Sequence, residues 1–194
     1  MTVADHARRS AKSDLAALTH ERVMRAVAAL LTRSSEEVTF ERVAAESGIP
    51  QRTLYRHFAN KDALFGAFWP WMNALIEVPQ TPLSAAEITD HIPALFAAFD
   101  RQEPLVRAML HSPHGRAVRL AHNEARRDKF AEALKAETIL LSEANARRLL
   151  AGVTALCSAA GWETIKDYRG LSGAKAADAA QWSVKSLIEA ARRG

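Results

Sequence analysis

The feature that most constrains this chain is its apolar spacing, which is helical from one end to the other. Apolar residues recur at intervals of three and four, as in Val23, Ala26, Val27, Leu30 and Leu31. No apolar–polar alternation along the chain suggests a half-buried strand. Abundant alanine favours helix further. The chain has 194 residues, nearly half of them apolar, which is enough to bury a core without disulfides. The expectation is an all-α protein of about nine helices and no strands.

Punctuation divides the pattern. A first helix is expected from about Thr19 to Arg33, with a possible backward extension into a basic N-terminal arm. Thr39 reads as the N-cap of "FERVAAES", which Gly48 ends. A third helix covers about Gln51 to Phe58. Asn60 reads as the cap of a fourth, from Lys61 to about Glu77. "VPQTP" is a break, and Ser84 with Glu87 forms a capping box for the next helix. Pro104 and Pro113 stand where helices start, Pro113 behind Ser112. Long helices are then expected from Pro113 to about Ala136 and from Ser142 to Tyr168. "RGLSG" separates the latter from a last helix, Ala174 to Arg192.

Charge and cysteine usage narrow the setting. The net charge is +4, and residues 1–61 hold +3 of it, ten Lys and Arg against seven Asp and Glu. A local basic surface suits nucleic acid better than a membrane, because no long basic amphipathic run accompanies it. A solvated face accounts for the same charge. The one cysteine, Cys157, cannot form an internal disulfide, which fits a reducing cytoplasm. The N-terminal stretch lacks the apolar run of a signal peptide, and no apolar run approaches the ~18 residues a membrane helix needs.

The richest segment is "SGIPQRTLYRHFANKDAL", Ser47 to Leu64, with no acidic residue between Ile49 and Lys61. Two short helices joined by a tight turn at Gly48 outline a helix-turn-helix. Leu54 and Phe58 share one face of the second helix and should pack on Val43 and Ala44 of the first. Gln51, Arg52, Tyr55 and Arg56 then point outward. Arg forks onto guanine, Gln onto adenine, and Tyr reaches phosphate or a thymine methyl. Thr53, His57 and Lys61 lie to the flanks, Lys61 at a helix start whose free N–H groups suit a phosphate. The competing reading is an ordinary solvated helix.

"VTFERVAAESGIPQRTLYRHFANKDALF" closely resembles the DNA-binding domain of TetR-family transcriptional regulators. The matching positions include Thr39, Val43, Ala44, Gly48, Ile49, Thr53, Leu54, Tyr55, His57, Phe58, Asn60, Lys61, Asp62 and Leu64. The motif covers about residues 19–66; beyond it the resemblance is one of layout. It implies residues 1–66 as an arm and DNA-binding domain, and residues 67–194 as a helical domain for ligand binding and dimerisation. It also implies a dimeric repressor on a palindromic operator in double-stranded DNA, released by a small, largely apolar molecule, with no cofactor. Carried over by position, Gln51, Arg52, Tyr55 and Arg56 become base readers. Thr39, Thr53, His57 and Lys61 become phosphate contacts. The chain departs from the family at Pro50, where Ser or Thr is common, and at Arg52, where a small residue is common. It departs again at Ser34 and Ser35, where a glycine is common.

In the fourth helix, Pro70 removes a backbone bond and presses on the carbonyl of Gly66, which predicts a bend. This helix links the two domains in the family, so a bend there reads either as a hinge or as a static kink. Trp69, Trp71, Met72, Phe96, Phe99, Met109 and Trp162 read either as cavity lining or as plain core. His91 and Asn145 are candidate polar anchors. The last two helices carry narrow apolar seams: Leu149, Val153, Leu156 and Ala160, then Ala177, Ala180, Val184, Leu187 and Ala191. These suit a four-helix homodimer interface or packing within one chain. Trp182 lies off the seam and calls for a cover.

Two other function classes compete. A helical DNA-binding regulator controlled by a partner protein would have a closed, fully packed second domain. An enzyme would need a site, yet no phosphate-binding glycine loop or nucleophile elbow is present. His111, His114 and His122 lie close in sequence but have no cysteine or paired carboxylate to complete a metal site. Cys157 sits among apolar residues, where a structural thiol is expected.

Overall fold

The structure, a computed structural model, describes residues 3–33, 37–80 and 82–193, with side chains from residue 14 onward. Those residues form twelve helices and no strand. The expected turn at Ser34 and Ser35 lies outside them. The chain packs as two units, one ending at Met72 and the other beginning at Asn73. The boundary expected near residue 66 falls in the same helix as this division.

The first unit holds α1 (Val3–Arg33), α2 (Phe40–Ser47), α3 (Gln51–His57) and most of α4 (Lys61–Leu75). The long α1 realises the backward extension and begins well before Thr19. Its Val23, Met24 and Val27 are fully buried, as are Val43 of α2, Leu54 of α3 and Phe68 of α4. The i, i+3, i+4 spacing that signalled a helix is therefore the spacing that makes this core. Trp71 ties α4 to α1: its Nε1 donates to Glu21 Oε2 at 2.6 Å. That bond, with help from Arg25, holds the Glu21 carboxyl below its usual range. α4 remains one helix across Pro70, and Gly66 is exposed.

The second unit holds α5 (Ala85–Arg101), α6 (Glu103–His111), α7 (Pro113–Ala121) and α8 (Asn123–Ala133). The short α9 (Lys135–Thr138), α10 (Glu143–Leu156), α11 (Ala159–Arg169) and α12 (Ala174–Arg192) complete it. α12 packs on α5, α10 and α11. Its buried face is small: Ala176, Ala177 and Ala180, then Val184 and Ile188. Much of the seam read as a dimer surface is thus spent inside the chain. Gly152 of α10 meets α12 closely, since a Cβ there would fall 3.0 Å from Leu187 Cδ1.

Both long helices expected in this unit are broken. The segment from Pro113 yields α7, α8 and α9, with junctions at His122 (φ −96°, ψ 1°) and Leu134 (φ −103°, ψ 11°) and no capping side chain at either. Leu134 is fully buried at the second junction. The segment from Ser142 breaks at Cys157, and Ser158 caps α11 by accepting from Gly161 N at 3.0 Å. Ser112 caps α7 in the same way, from Gly115 N at 3.0 Å. In both turns only a glycine fits: a Cβ at Gly115 would lie 2.2 Å from the Met109 carbonyl oxygen, and one at Gly161 would lie 2.4 Å from that of Ala155. Each new helix starts hard against the last turn of the one before. Cys157 is buried there and its thiol is pushed up to about 12, mainly by burial, which suits a structural role.

Pro93 lies inside α5 and cannot donate to the carbonyl of Thr89. Gln181 of α12 replaces the missing donor: its Nε2 reaches Thr89 O at 2.9 Å. Thr89 is buried, so water is a poor substitute. Gln181→Leu is expected to cost about 1–3 kcal/mol of stability by stranding that carbonyl. The measurement is the urea midpoint of the full chain; an unchanged midpoint would mean that another donor serves Thr89.

Candidate nucleic-acid interface

The surface around α3 is built from local capping chemistry. Thr39 starts α2, its Oγ1 accepting from Arg42 N at 3.2 Å. Gly48 ends α2 at φ 65°, ψ 20°, a left-handed conformation that glycine adopts freely. Ser47 is buried at this turn, its Oγ accepting from Ile49 N at 3.2 Å. Arg22 of α1 clamps the same turn, donating from Nη2 to Ser47 O at 2.7 Å. Pro50 starts α3 without a side-chain cap, and its carbonyl accepts from Thr53 N at 2.8 Å and Leu54 N at 3.2 Å. Phe58 ends α3 through its N–H to Leu54 O at 2.8 Å. Asn60 starts α4, its Oδ1 accepting from Ala63 N at 2.8 Å.

At seven residues, α3 is too short to stand alone. Leu54, fully buried, and Phe58, also buried, hold it to the unit. The other face is open: Gln51, Arg52, Tyr55, Arg56 and His57 are exposed, and Thr53 is half-buried. This is the division expected from the spacing of Leu54 and Phe58. Tyr55 is nonetheless not loose. Its ring lies parallel on Phe40, centroids 4.5 Å apart and planes within 2°. That stack fixes the direction of the phenol without burying it.

Thr39, Phe40, Glu41, Gln51, Tyr55, Ala59, Asn60 and Lys61 line a groove of about 400 Å³. The N-termini of α2 and α4 both open near it, with Thr39 and Asn60 as their caps. The Thr39 hydroxyl accepts from the backbone and still has a proton to donate. Lys61 reaches back to an ion pair with the Glu37 carboxylate. Such a partly exposed pair is weak and exchangeable, about 0–1 kcal/mol. Of the eight residues expected to contact nucleic acid, Thr39, Gln51, Tyr55 and Lys61 share this groove. Arg52, Arg56 and His57 stand exposed on α3, and the half-buried Thr53 beside them.

Sequence reasoning missed three supports. Arg22 clamps a turn whose residues lie far along the chain. Phe40 serves as the platform for Tyr55. Glu37 holds Lys61. None of these partnerships has a local pattern.

The residues read as cavity lining divide between the units. Trp69 and Trp71 are half-buried and Met72 buried in the first. Phe96, Phe99, Met109 and Trp162 are buried in the second. There Phe99 meets Trp162 edge to face at 5.8 Å. Of the candidate anchors, His91 has a buried Nδ1 without a hydrogen-bond partner, and Asn145 Oδ1 accepts from Arg148. His111 pairs with Glu163 at 2.8 Å. Among the described residues, no three His, Cys, Asp or Glu converge as a metal site, and no helix is long and apolar enough to cross a membrane.

Residues 24–68 match the family model described as bacterial regulatory proteins, tetR family. No curated protein matches the chain.

Proposed function

We propose that this chain, a DNA-binding transcriptional regulator with the N-terminal helix-turn-helix domain of the TetR family, is a cytoplasmic dimeric repressor of a palindromic operator that a small molecule releases. The observation that carries the reading is the two-faced α3: Leu54 and Phe58 are buried, while Gln51, Arg52, Tyr55 and Arg56 are presented. Those four enter the major groove and meet base edges. Thr39, Thr53, His57 and Lys61 position the unit on phosphates, Lys61 trading its Glu37 partner for the backbone. The family is one of regulators and not enzymes.

The dimer forms through the two C-terminal helices, α11 and α12. What supports this is the apolar surface left on and beside α12: Trp182 is 70% exposed, Leu187 37%, and Tyr168 at the end of α11 84%. Ala177, Ala180 and Val184 are occupied within the chain, so the partner meets the Trp182 side. Two copies of α3 then lie about 34 Å apart, one turn of the duplex. The second unit takes a small, largely apolar ligand. Binding there needs to bias DNA affinity by only about 1–3 kcal/mol to act as a switch.

Selection of bound DNA from a random pool tests the reading. The expected product is an inverted repeat with half-sites one helical turn apart. A pool that enriches no site would overturn it.

A further inference from the structure

The basic side chains of the first unit fall into two groups. Residues 14–72 contain seven: Arg22, Arg25, Arg33, Arg42, Arg52, Arg56 and Lys61. Five are engaged by the protein itself. Arg22 donates to Ser47 O, Arg25 to Glu21, Arg33 to Glu46, Arg42 to Glu37 O, and Lys61 to Glu37. The remaining two, Arg52 and Arg56, are exposed and make no ion pair or hydrogen bond among the described residues. Both lie on α3, four residues apart, and α3 holds no acidic residue.

This arrangement works against the helix. Like charges at i and i+4 repel, and no acidic side chain on α3 offsets them. The pair is therefore placed for a partner outside the chain. A four-residue step advances about 6 Å along a helix. Two base-pair steps advance about 6.8 Å along B-DNA; one advances about 3.4 Å and three about 10 Å. A guanidinium forks onto guanine O6 and N7, the commonest specific contact in the major groove. Resting on the regulator reading above, we infer that Arg52 and Arg56 read two guanines separated by one base pair in each operator half-site. Arg52 is then a specificity residue and not a phosphate contact.

The test compares the full chain with R52A, R52K, R56A and R56K by selection from a random pool and by titration of the wild-type operator at several salt concentrations. The wild-type half-site should hold two G·C pairs with one pair between them. R52A should lose the preference at one of them and R56A at the other, each binding the operator roughly 5- to 140-fold more weakly. The lysine variants keep the charge but not the fork, so they should bind unrelated DNA like wild type while losing the same guanine. The inference is overturned if the enriched half-site lacks G·C pairs at that spacing. It is also overturned if R52A weakens binding equally on all sequences and R52K restores it, the behaviour of a phosphate contact. A wild-type pool with no enriched site overturns the regulator reading instead, which separates the two failures.

Discussion

Trp162→Ala is expected to lower the folding stability of the chain by about 3–5 kcal/mol. The indole is fully buried, and Phe99 covers its edge. Two cations lie over the ring, Lys166 Nζ at 5.1 Å from the centroid and the Arg107 guanidinium at 5.4 Å. Its Nε1 donates to Asp100 Oδ1 at 3.1 Å. Lys166 in turn bonds Asp100 at 2.8 Å and Glu103 at 2.6 Å. Arg107 bonds Glu103, Glu163 and Asp167 between 2.6 and 2.8 Å. Its pKa is raised, chiefly by Asp167, and the Glu103 carboxyl is held low, chiefly by Lys166. Truncation opens a cavity and removes the surface on which this network of α5, α6 and α11 lies. The check is urea unfolding followed by circular dichroism. Trp162→Phe should recover part of the loss, because a ring remains under the cations while the bond to Asp100 goes. A W162A chain within 1 kcal/mol of wild type, a threshold below the ~3–5 kcal/mol expected of such truncations, would remove Trp162 from the centre of this core.

Trp162 also marks the limit of what the sequence makes legible. As a large apolar residue on a helix it reads either as cavity lining or, more often, as plain core. Its neighbours settle its surroundings, and they lie 55 to 62 residues away in Asp100, Glu103 and Arg107. Ion pairs of this kind leave no pattern that separates them from scattered surface charge. Caps are different, because their chemistry closes within four residues. Thr39, Asn60, Ser84 and Ser112 were legible for that reason, and each caps its helix. Ser158 uses the same chemistry but follows an unbroken apolar pattern with no proline, so nothing local announces it. Gly161 permits that break, since a Cβ there would lie 2.4 Å from the Ala155 carbonyl oxygen. The two-faced α3 was the most legible feature of the interface, since burial of Leu54 and Phe58 leaves their neighbours only one way to point. The clamp from Arg22 to Ser47 spans 25 positions and was not legible at all.

That clamp makes the turn before α3 a sensitive point of the first unit. Gly48→Val is expected to lose operator binding and to cost roughly 2.5–5 kcal/mol of stability. About 1–2 kcal/mol comes from forcing a side chain into the left-handed region at φ 65°, with a branched Cβ the worst case. About 1.5–3 kcal/mol comes from the charge-assisted bond of Arg22 to Ser47 O. A Cβ on Gly48 would stand 3.0 Å from Arg22 Nη2, so the guanidinium must move off the carbonyl it serves. With the turn opened, Leu54 and Phe58 no longer seat α3, and Arg52, Tyr55 and Arg56 lose their common direction. Gly48→Asn separates the two causes. Asparagine tolerates the left-handed region, so only the displacement of Arg22 remains, at the flexible end of a long side chain. G48N should therefore fold and bind within a few-fold of wild type while G48V does neither. Urea unfolding and anisotropy on the selected operator measure both. If G48V binds like wild type, α3 is held by something other than this turn.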